Sequence, residues 1–252
     1  MNKGKLYLVP APLDFGCEQL APIQDVMPLQ TLQIAAVLGH FICENAKSTR
    51  AYLKRVGDVV PLSQPVQALQ VQELPREVHK KGDHTGNFDA RPLLKAALDG
   101  HNIGLLSEAG MPAIADPGSS VVRAAHDLGI EVIALTGPMS LMLALASSGL
   151  NGQNFAFVGY LPQDGGQRNL RIKTLESLAL KTGQTQIFIE TPYRNTALLQ
   201  ALLQTLQGNT RLALSCGLTM NTASNKSATV DKWKKEKPTL PLGLPTVFCI
   251  GR

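Results

Sequence analysis

The segment Gly104-Leu105-Leu106-Ser107-Glu108-Ala109-Gly110-Met111-Pro112-Ala113-Ile114-Ala115-Asp116-Pro117-Gly118 constrains the fold more than any other. An apolar run ending at Ser107 reads as a strand. The loop after it carries two glycines, two prolines and two carboxylates, and residues 119–128 then read as a helix. Strand, special loop and helix in that order build ligand sites in open α/β sheets, where the loop lies at the carboxyl end of a strand. The next apolar run, 131–135, ends in a comparable loop, Thr136-Gly137-Pro138-Met139-Ser140. Two such loops in succession predict one shared pocket.

The rest of the chain supplies matching elements. Leu6-Tyr7-Leu8-Val9 reads as a strand stopped by Pro10 and Pro12, residues 29–38 as a helix, and His40-Phe41-Ile42-Cys43 as a buried strand. A polar helix over 45–56 places Lys47, Arg50 and Lys54 on one face. Residues 59–87 show weak periodicity and are expected to hold a strand and a loop. A helix is expected over 88–98 with Asp89 as its N-cap. After Gly149 an alternating run, 155–160, precedes a helix over 168–180 that starts with Arg168, Arg171 and Lys173. Basic residues there oppose the helix dipole and call for an anionic partner. Strands over 186–190, 212–215 and 246–250, a helix from Pro192 to 206, and a basic run 232–237 around the single Trp complete the pattern. These elements form two α/β halves, 1–136 and 137–252, each a mixed or parallel sheet flanked by helices, with a ligand cleft expected between them.

Composition narrows the function classes. Hydrophobic residues at 44% and charged residues at 17% fit a globular chain rather than a disordered one. A net charge of +5 permits an RNA partner without demonstrating one. The cysteines lack C-x-x-C spacing and have no nearby His at zinc-ligand spacing, so no metal site is expected. They read as free thiols of a reducing compartment. The first residues lack the pattern of a signal peptide, and the longest apolar stretch, 138–150, is too short to span a bilayer. The expectation is a cytoplasmic protein without membrane contact. No G-x-G-x-x-G follows a strand, and no P-loop or G-x-S-x-G elbow is present.

Ser107-Glu108-Ala109-Gly110-Met111-Pro112 through Asp116-Pro117-Gly118 closely resembles the Ser-Asp-Ala-Gly-Thr-Pro and Asp-Pro-Gly loop of the tetrapyrrole-methylase superfamily, nearest the branch that 2′-O-methylates small-subunit ribosomal RNA. Thr136-Gly137-Pro138-Met139-Ser140 resembles that family's Pro-Gly-Pro-Ser loop, and residues 6–12 its opening strand. Glu44 through Thr49-Arg50 resembles its Glu-Asp-Thr-Arg segment. Phe157-Val158-Gly159-Tyr160-Leu161-Pro162 and Glu190-Thr191-Pro192-Tyr193-Arg194 resemble two motifs of its second half. Three positions depart from the pattern: Leu13-Asp14-Phe15 stands for Ile-Gly-Asn, Glu44-Asn45-Ala46 for Glu-Asp-Thr, and Glu108 for Asp.

The resemblance implies a class III methyltransferase of two α/β domains, with S-adenosylmethionine in the cleft and a homodimeric assembly. It implies cofactor contacts at Pro10, Ala109, Gly110, Met111, Ile114, Ala115, Thr136, Gly137 and Ser140, and from the second half at Tyr160, Ile189, Cys216 and Pro245. It places Glu44, Arg50, Glu190 and Arg194 at the substrate, which would be ribosomal RNA or the small subunit. A hydroxyl acceptor needs a group to take its proton. Glu108 is the carboxylate expected nearest the chemistry, and Asp116, just before a helix, is expected to serve as an N-terminal cap or dipole partner. Arg50 and Arg194 either hold phosphates or pair with neighbouring carboxylates. Two alternatives stay open at this point: a methylase of a tetrapyrrole or other small molecule, and a non-catalytic binding module.

Overall fold

The structure, a computed structural model, describes residues 2–14, 16–81, 83, 88–236, 239–241 and 243–252, with no side-chain description for residues 79–81. Phe15, Gly82, residues 84–87 and Lys237, all within stretches named above, lie outside the described residues. The chain divides into two compact units. The first is Met1–Phe15 with Leu20–Pro138, and the second is Gly16–Gln19 with Met139–Arg252.

In the first unit the elements run β1 (Leu6–Leu8), α1 (Ile23–Val26), α2 (Leu29–Val37), β2 (His40–Cys43), α3 (Ala46–Gly57), β3 (Gln70–Glu73), α4 (Arg76–Lys81), a 3-10 turn (Arg91–Leu94), α5 (Lys95–Leu98), β4 (Ile103–Leu106), α6 (Ser119–Asp127) and β5 (Val132–Ala134). The five strands form one sheet, ordered β3-β2-β4-β1-β5, and each neighbouring pair is parallel. A parallel sheet needs both faces covered, which explains why β4 is buried along its whole length. Leu32, Ala35, Phe41, Leu53 and Val56 pack one face, and Leu94, Ala97, Ile103, Leu105, Val121 and Ala124 the other. The helix expected over 88–98 is instead a 3-10 turn followed by one turn of α-helix. Asp89 Oδ1 accepts from Arg91 N at 3.1 Å. Pro92, with fixed φ and no N–H, sits in the turn and delays the α-helix.

The segment after β1 is tied down by a buried ion pair. Asp14 is 3% exposed. It accepts from Arg55 Nη1 at 3.0 Å and Nη2 at 2.9 Å, and from Ala21 N at 3.0 Å. Leu13-Asp14, a departure from the family pattern, therefore anchors this segment to α3. An Arg55→Met variant leaves a buried carboxylate without its counter-charge. It is expected to lower stability by about 3 kcal/mol, read as a reduced urea midpoint at unchanged m-value.

The second unit runs α7 (Ser140–Ser148), β6 (Phe155–Tyr160), α8 (Gly165–Thr182), β7 (Thr185–Glu190), a 3-10 turn (Pro192–Arg194), α9 (Asn195–Thr205), β8 (Arg211–Cys216), β9 (Ser224–Thr229), α10 (Val230–Glu236) and β10 (Thr246–Gly251). Its sheet, ordered β6-β7-β10-β8-β9, is mixed: β6 and β7 are parallel, and the other pairs antiparallel. Phe188 and Phe248 stack at 5.8 Å in a core with Ile172, Leu198, Leu202 and Trp233. Trp233 is 2% exposed and donates through Nε1 to Leu212 O at 2.8 Å. The basic run thus hangs on a buried anchor. Among the described residues no helix is long and apolar enough to cross a membrane.

Candidate active site

The strand order of the first sheet reverses at β1, which lies between β4 and β5 while the chain first travels out to β3. Ligands bind outside the carboxyl ends of strands at such a switch point. Four segments leave the sheet there: Pro10 after β1, Glu44 after β2, residues 107–118 after β4 and residues 135–138 after β5. The β1 and β4 loops are clamped by a reciprocal pair of bonds, Ala11 N to Gly110 O and Gly110 N to Ala11 O, each 2.9 Å. The β5 loop is held by Thr31 Oγ1, which donates to Thr136 O at 2.7 Å. Gly137 packs so closely on Pro10 that a Cβ there would sit 2.2 Å from Pro10 Cγ. Of the residues implied above as cofactor contacts, Pro10, Ala109, Gly110, Met111, Ile114, Ala115, Thr136 and Gly137 all belong to these loops. Gly110, Ala113 and Ala115 adopt left-handed backbone, with φ of 71°, 65° and 64°. Ile114 is 41% exposed.

Three carboxyls meet at this end of the sheet. The register of β2 with β4 pairs Cys43 with Leu106, so Glu44 and Ser107 are the next residues on neighbouring strands. Glu44 Oε1 and Ser107 Oγ are both buried without a hydrogen-bond partner among the described residues. Burial, followed by the charges of Asp116 and Glu108, pushes the Glu44 carboxyl up to about 7. Burial, then Glu108, likewise pushes Asp116 up to about 7. The Ser107 hydroxyl opposes the rise at both carboxyls, yet its geometry falls short of a hydrogen bond to either. Glu108 is held from another side, accepting from Ser48 Oγ at 3.1 Å. Ser48 lies in the first turn of α3, which Asn45 caps by accepting from Lys47 N and Ser48 N.

Asp116 does not cap α6. That position is taken by Asp83, from the stretch 59–87 expected to hold only a strand and a loop. Asp83 accepts from Gly118 N at 2.9 Å, Ser120 N at 2.8 Å, Ser119 Oγ at 2.8 Å and Ser120 Oγ at 2.5 Å. With the helix N-terminus already satisfied, Asp116 is left among the carboxyls. Asp83, Ser107, Ser48 and Asp14 are the site-supporting residues that sequence reasoning missed. Ser107 carries a sequence signal in its place between a strand and Glu108, and Asp14 one in its departure from the family pattern.

In the second unit the register gathers four implied residues at one end of the sheet. Thr246 pairs with both Glu190 and Cys216, and Tyr160 pairs with Ile189. Pro245 therefore lies beside the ends of β7 and β8, and Tyr160 beside Ile189. A register shift at Gly159, φ 72°, re-aims Tyr160, which is 56% exposed. Cys216 is buried and its Sγ accepts from Thr246 Oγ1 at 3.4 Å. Glu190 and Arg194, both implied at the substrate, hold each other: Oε1 accepts from Arg194 Nη2 at 2.7 Å and Nε at 3.0 Å. Ser140 opens α7. Arg50, half-buried on α3, makes no ion pair among the described residues.

Comparison with known proteins agrees with this architecture. A family model described as Tetrapyrrole (Corrin/Porphyrin) Methylases matches residues 28–232. A protein of Mesorhizobium japonicum called Ribosomal RNA small subunit methyltransferase I is 32% identical over 226 residues, 89% of this chain and 67% of the relative. A protein of the same name from Escherichia coli O157:H7 is 28% identical over 238 residues, 93% of this chain and 73% of the relative. Among solved structures, the methyltransferase CobJ aligns with a TM-score of 0.57 at 17% identity, covering 99% of this chain and 94% of that one, which is a likeness of fold. With its parallel N-terminal sheet, its loops at the switch point and a family match over most of its length, the chain belongs to the tetrapyrrole (corrin/porphyrin) methylase family.

Proposed function

We propose that this S-adenosylmethionine-dependent methyltransferase acts on small-subunit ribosomal RNA, at a ribose 2′-hydroxyl. The observation that carries the reading is the alignment of nearly the whole chain with relatives named for that RNA. Bound S-adenosylmethionine supplies an electrophilic methyl group on a positively charged sulfur. The residues at the switch point fit such a group. The carboxyls of Glu44, Glu108 and Asp116 favour a nearby cation, and half-buried Met111 and exposed Ile114 offer apolar surface to an adenosyl moiety. In this reading the backbone of the β4 loop, left-handed at Ala113 and Ala115, contacts the nucleoside. The second unit's proposed cofactor contacts are Ser140, Tyr160, Ile189, Cys216 and Pro245.

What the protein must do for this reaction is hold the acceptor oxygen in line with the methyl group and accept its proton. Glu108, anchored by Ser48, faces the acceptor, with Glu44 and Arg50 beside it. The Glu190–Arg194 pair presents a fixed guanidinium edge for a backbone phosphate. The reading includes a homodimer in the cytoplasm, where ribosomal subunits are found.

The test is transfer of labelled methyl groups to small ribosomal subunits from a strain lacking this protein, followed by mapping of ribose methylation. One modified ribose in the small-subunit RNA is the expected result. Binding of S-adenosylmethionine with no transfer to subunits or RNA, or transfer to a tetrapyrrole instead, would overturn the RNA assignment.

A further inference from the structure

We propose that Glu44 is the proton acceptor of the reaction, with Asp116 and Ser107 beside it, and that Glu108 serves to hold the acceptor. The inference rests on the methyl-transfer reading above. Three features of the geometry separate Glu44 from its neighbours. First, the Cys43–Leu106 register sets Glu44 beside Ser107 at the carboxyl ends of adjacent inner strands. Second, Glu44 Oε1 is buried with no hydrogen-bond partner among the described residues, and burial outweighs the relief that the Ser107 hydroxyl and the Glu108 backbone N–H give the charged form, whereas Glu108 Oε1 receives the Ser48 hydroxyl. A buried carboxylate short of donors binds a proton more strongly than a fully hydrogen-bonded one. Third, Ser107 is only 5% exposed, and its hydroxyl is also unpartnered. Such a buried hydroxyl is costly unless something engages it. It lies beside both Glu44 and Asp116 and opposes the rise in proton affinity at each.

The charge environment agrees. The titratable groups facing Glu44 are Asp116 and Glu108, and both raise its affinity for protons. With Glu44 and Asp116 each pushed to about 7, the two titrate as a pair, in steps that belong to both. A base is most effective when its pKa lies near the working pH. In the step itself the acceptor hydroxyl gives its proton to the Glu44 carboxylate. Its oxygen lone pair forms the new bond to the methyl carbon as that carbon's bond to sulfur breaks, and the bonding pair leaves on sulfur. Glu44 later releases the proton to water.

The experiment compares wild type, Glu44→Gln, Glu44→Asp and Asp116→Asn, with circular dichroism confirming the fold of each. For wild type, methyl transfer to ribosomal subunits should rise with pH through a limb near 7, because the base must be deprotonated. Glu44→Gln should lower the rate about 100-fold or more, abolish the limb, and leave subunit affinity unchanged. Glu44→Asp should restore part of the rate, and Asp116→Asn should move the limb to lower pH by removing a like charge. An infrared titration of the free protein gives a readout independent of turnover. A protonated-carboxyl band should titrate near neutral pH and be reduced in Glu44→Gln. Full rate in Glu44→Gln, a rate loss matched by lost subunit affinity, or no near-neutral carboxyl would overturn the assignment and leave the RNA reading standing. A wild-type protein that methylates no ribosomal RNA would overturn both.

Discussion

Replacing Asp83 by alanine is expected to destabilise the N-terminal unit by about 3 kcal/mol. Asp83 is 4% exposed and receives two backbone N–H groups and two serine hydroxyls at the start of α6. Its loss leaves the buried Gly118 and Ser120 N–H groups without an acceptor, at about 1–3 kcal/mol each, offset in part by water entering the space. The carboxylate also complements the positive end of the α6 dipole. In a chain of this size about 3 kcal/mol lowers Tm by roughly 10 °C. The pH dependence has a defined sign. Burial alone would raise the Asp83 pKa, but the bonds from Ser120, Ser119 and Gly118 outweigh it and hold the carboxyl below its usual range. A depressed folded pKa gives stability that is present above the unfolded pKa and lost as pH falls through the folded one. The gap between wild type and Asp83→Asn should therefore be full at pH 7 and narrow progressively below about pH 4. An unchanged thermal midpoint in Asp83→Ala, or a gap that does not vary with pH, would show that α6 is capped by other means.

Asp83 also marks where sequence reasoning stops. It lies 35 residues before Gly118, the first group it binds, in a stretch without apolar periodicity. Nothing local distinguishes it from the other polar residues nearby, and sequence proximity favours Asp116, the nearest acid, as the cap. The strand–loop–helix at 104–128 was legible because a buried parallel strand, a Gly/Pro loop and an amphipathic helix each leave a local pattern. β9, Ser-Asn-Lys-Ser-Ala-Thr, was not legible, because an edge strand can be polar and loses the alternation that identifies inner strands. α8 begins at Gly165, earlier than expected, because Asp164 caps it by accepting from Gln167 N and a pair of glycines then reads as loop. At the site, Glu44, Glu108 and Asp116 could each be singled out by motif. Their meeting depends on β2 pairing with β4, a strand order that composition and spacing do not encode. The pairing of Arg194 with Glu190 through two bonds is the same kind of tertiary fact.

Gly137→Ala tests whether the loops at the switch point act as one device. The added Cβ would lie 2.2 Å from Pro10 Cγ and 2.5 Å from Pro10 Cβ. A proline ring cannot swing aside as a long side chain can, so the backbone of one loop must move. The β1 loop is clamped to the β4 loop through Ala11 and Gly110, and the β5 loop is held to α2 through Thr31. The shift therefore spreads into the segments proposed to hold the nucleoside. Overpacking of this kind costs about 1–3 kcal/mol of stability. The larger effect is expected on binding: S-adenosylmethionine affinity should fall at least about tenfold, equal to roughly 1.4 kcal/mol. A Thr31→Val variant, which removes only the bond to Thr136 O, should weaken binding in the same direction by less. Calorimetric titration of both variants against wild type decides the matter. If Gly137→Ala lost stability while binding S-adenosylmethionine at wild-type affinity, the Pro10–Gly137 contact would be structural and the nucleoside would have to be held elsewhere.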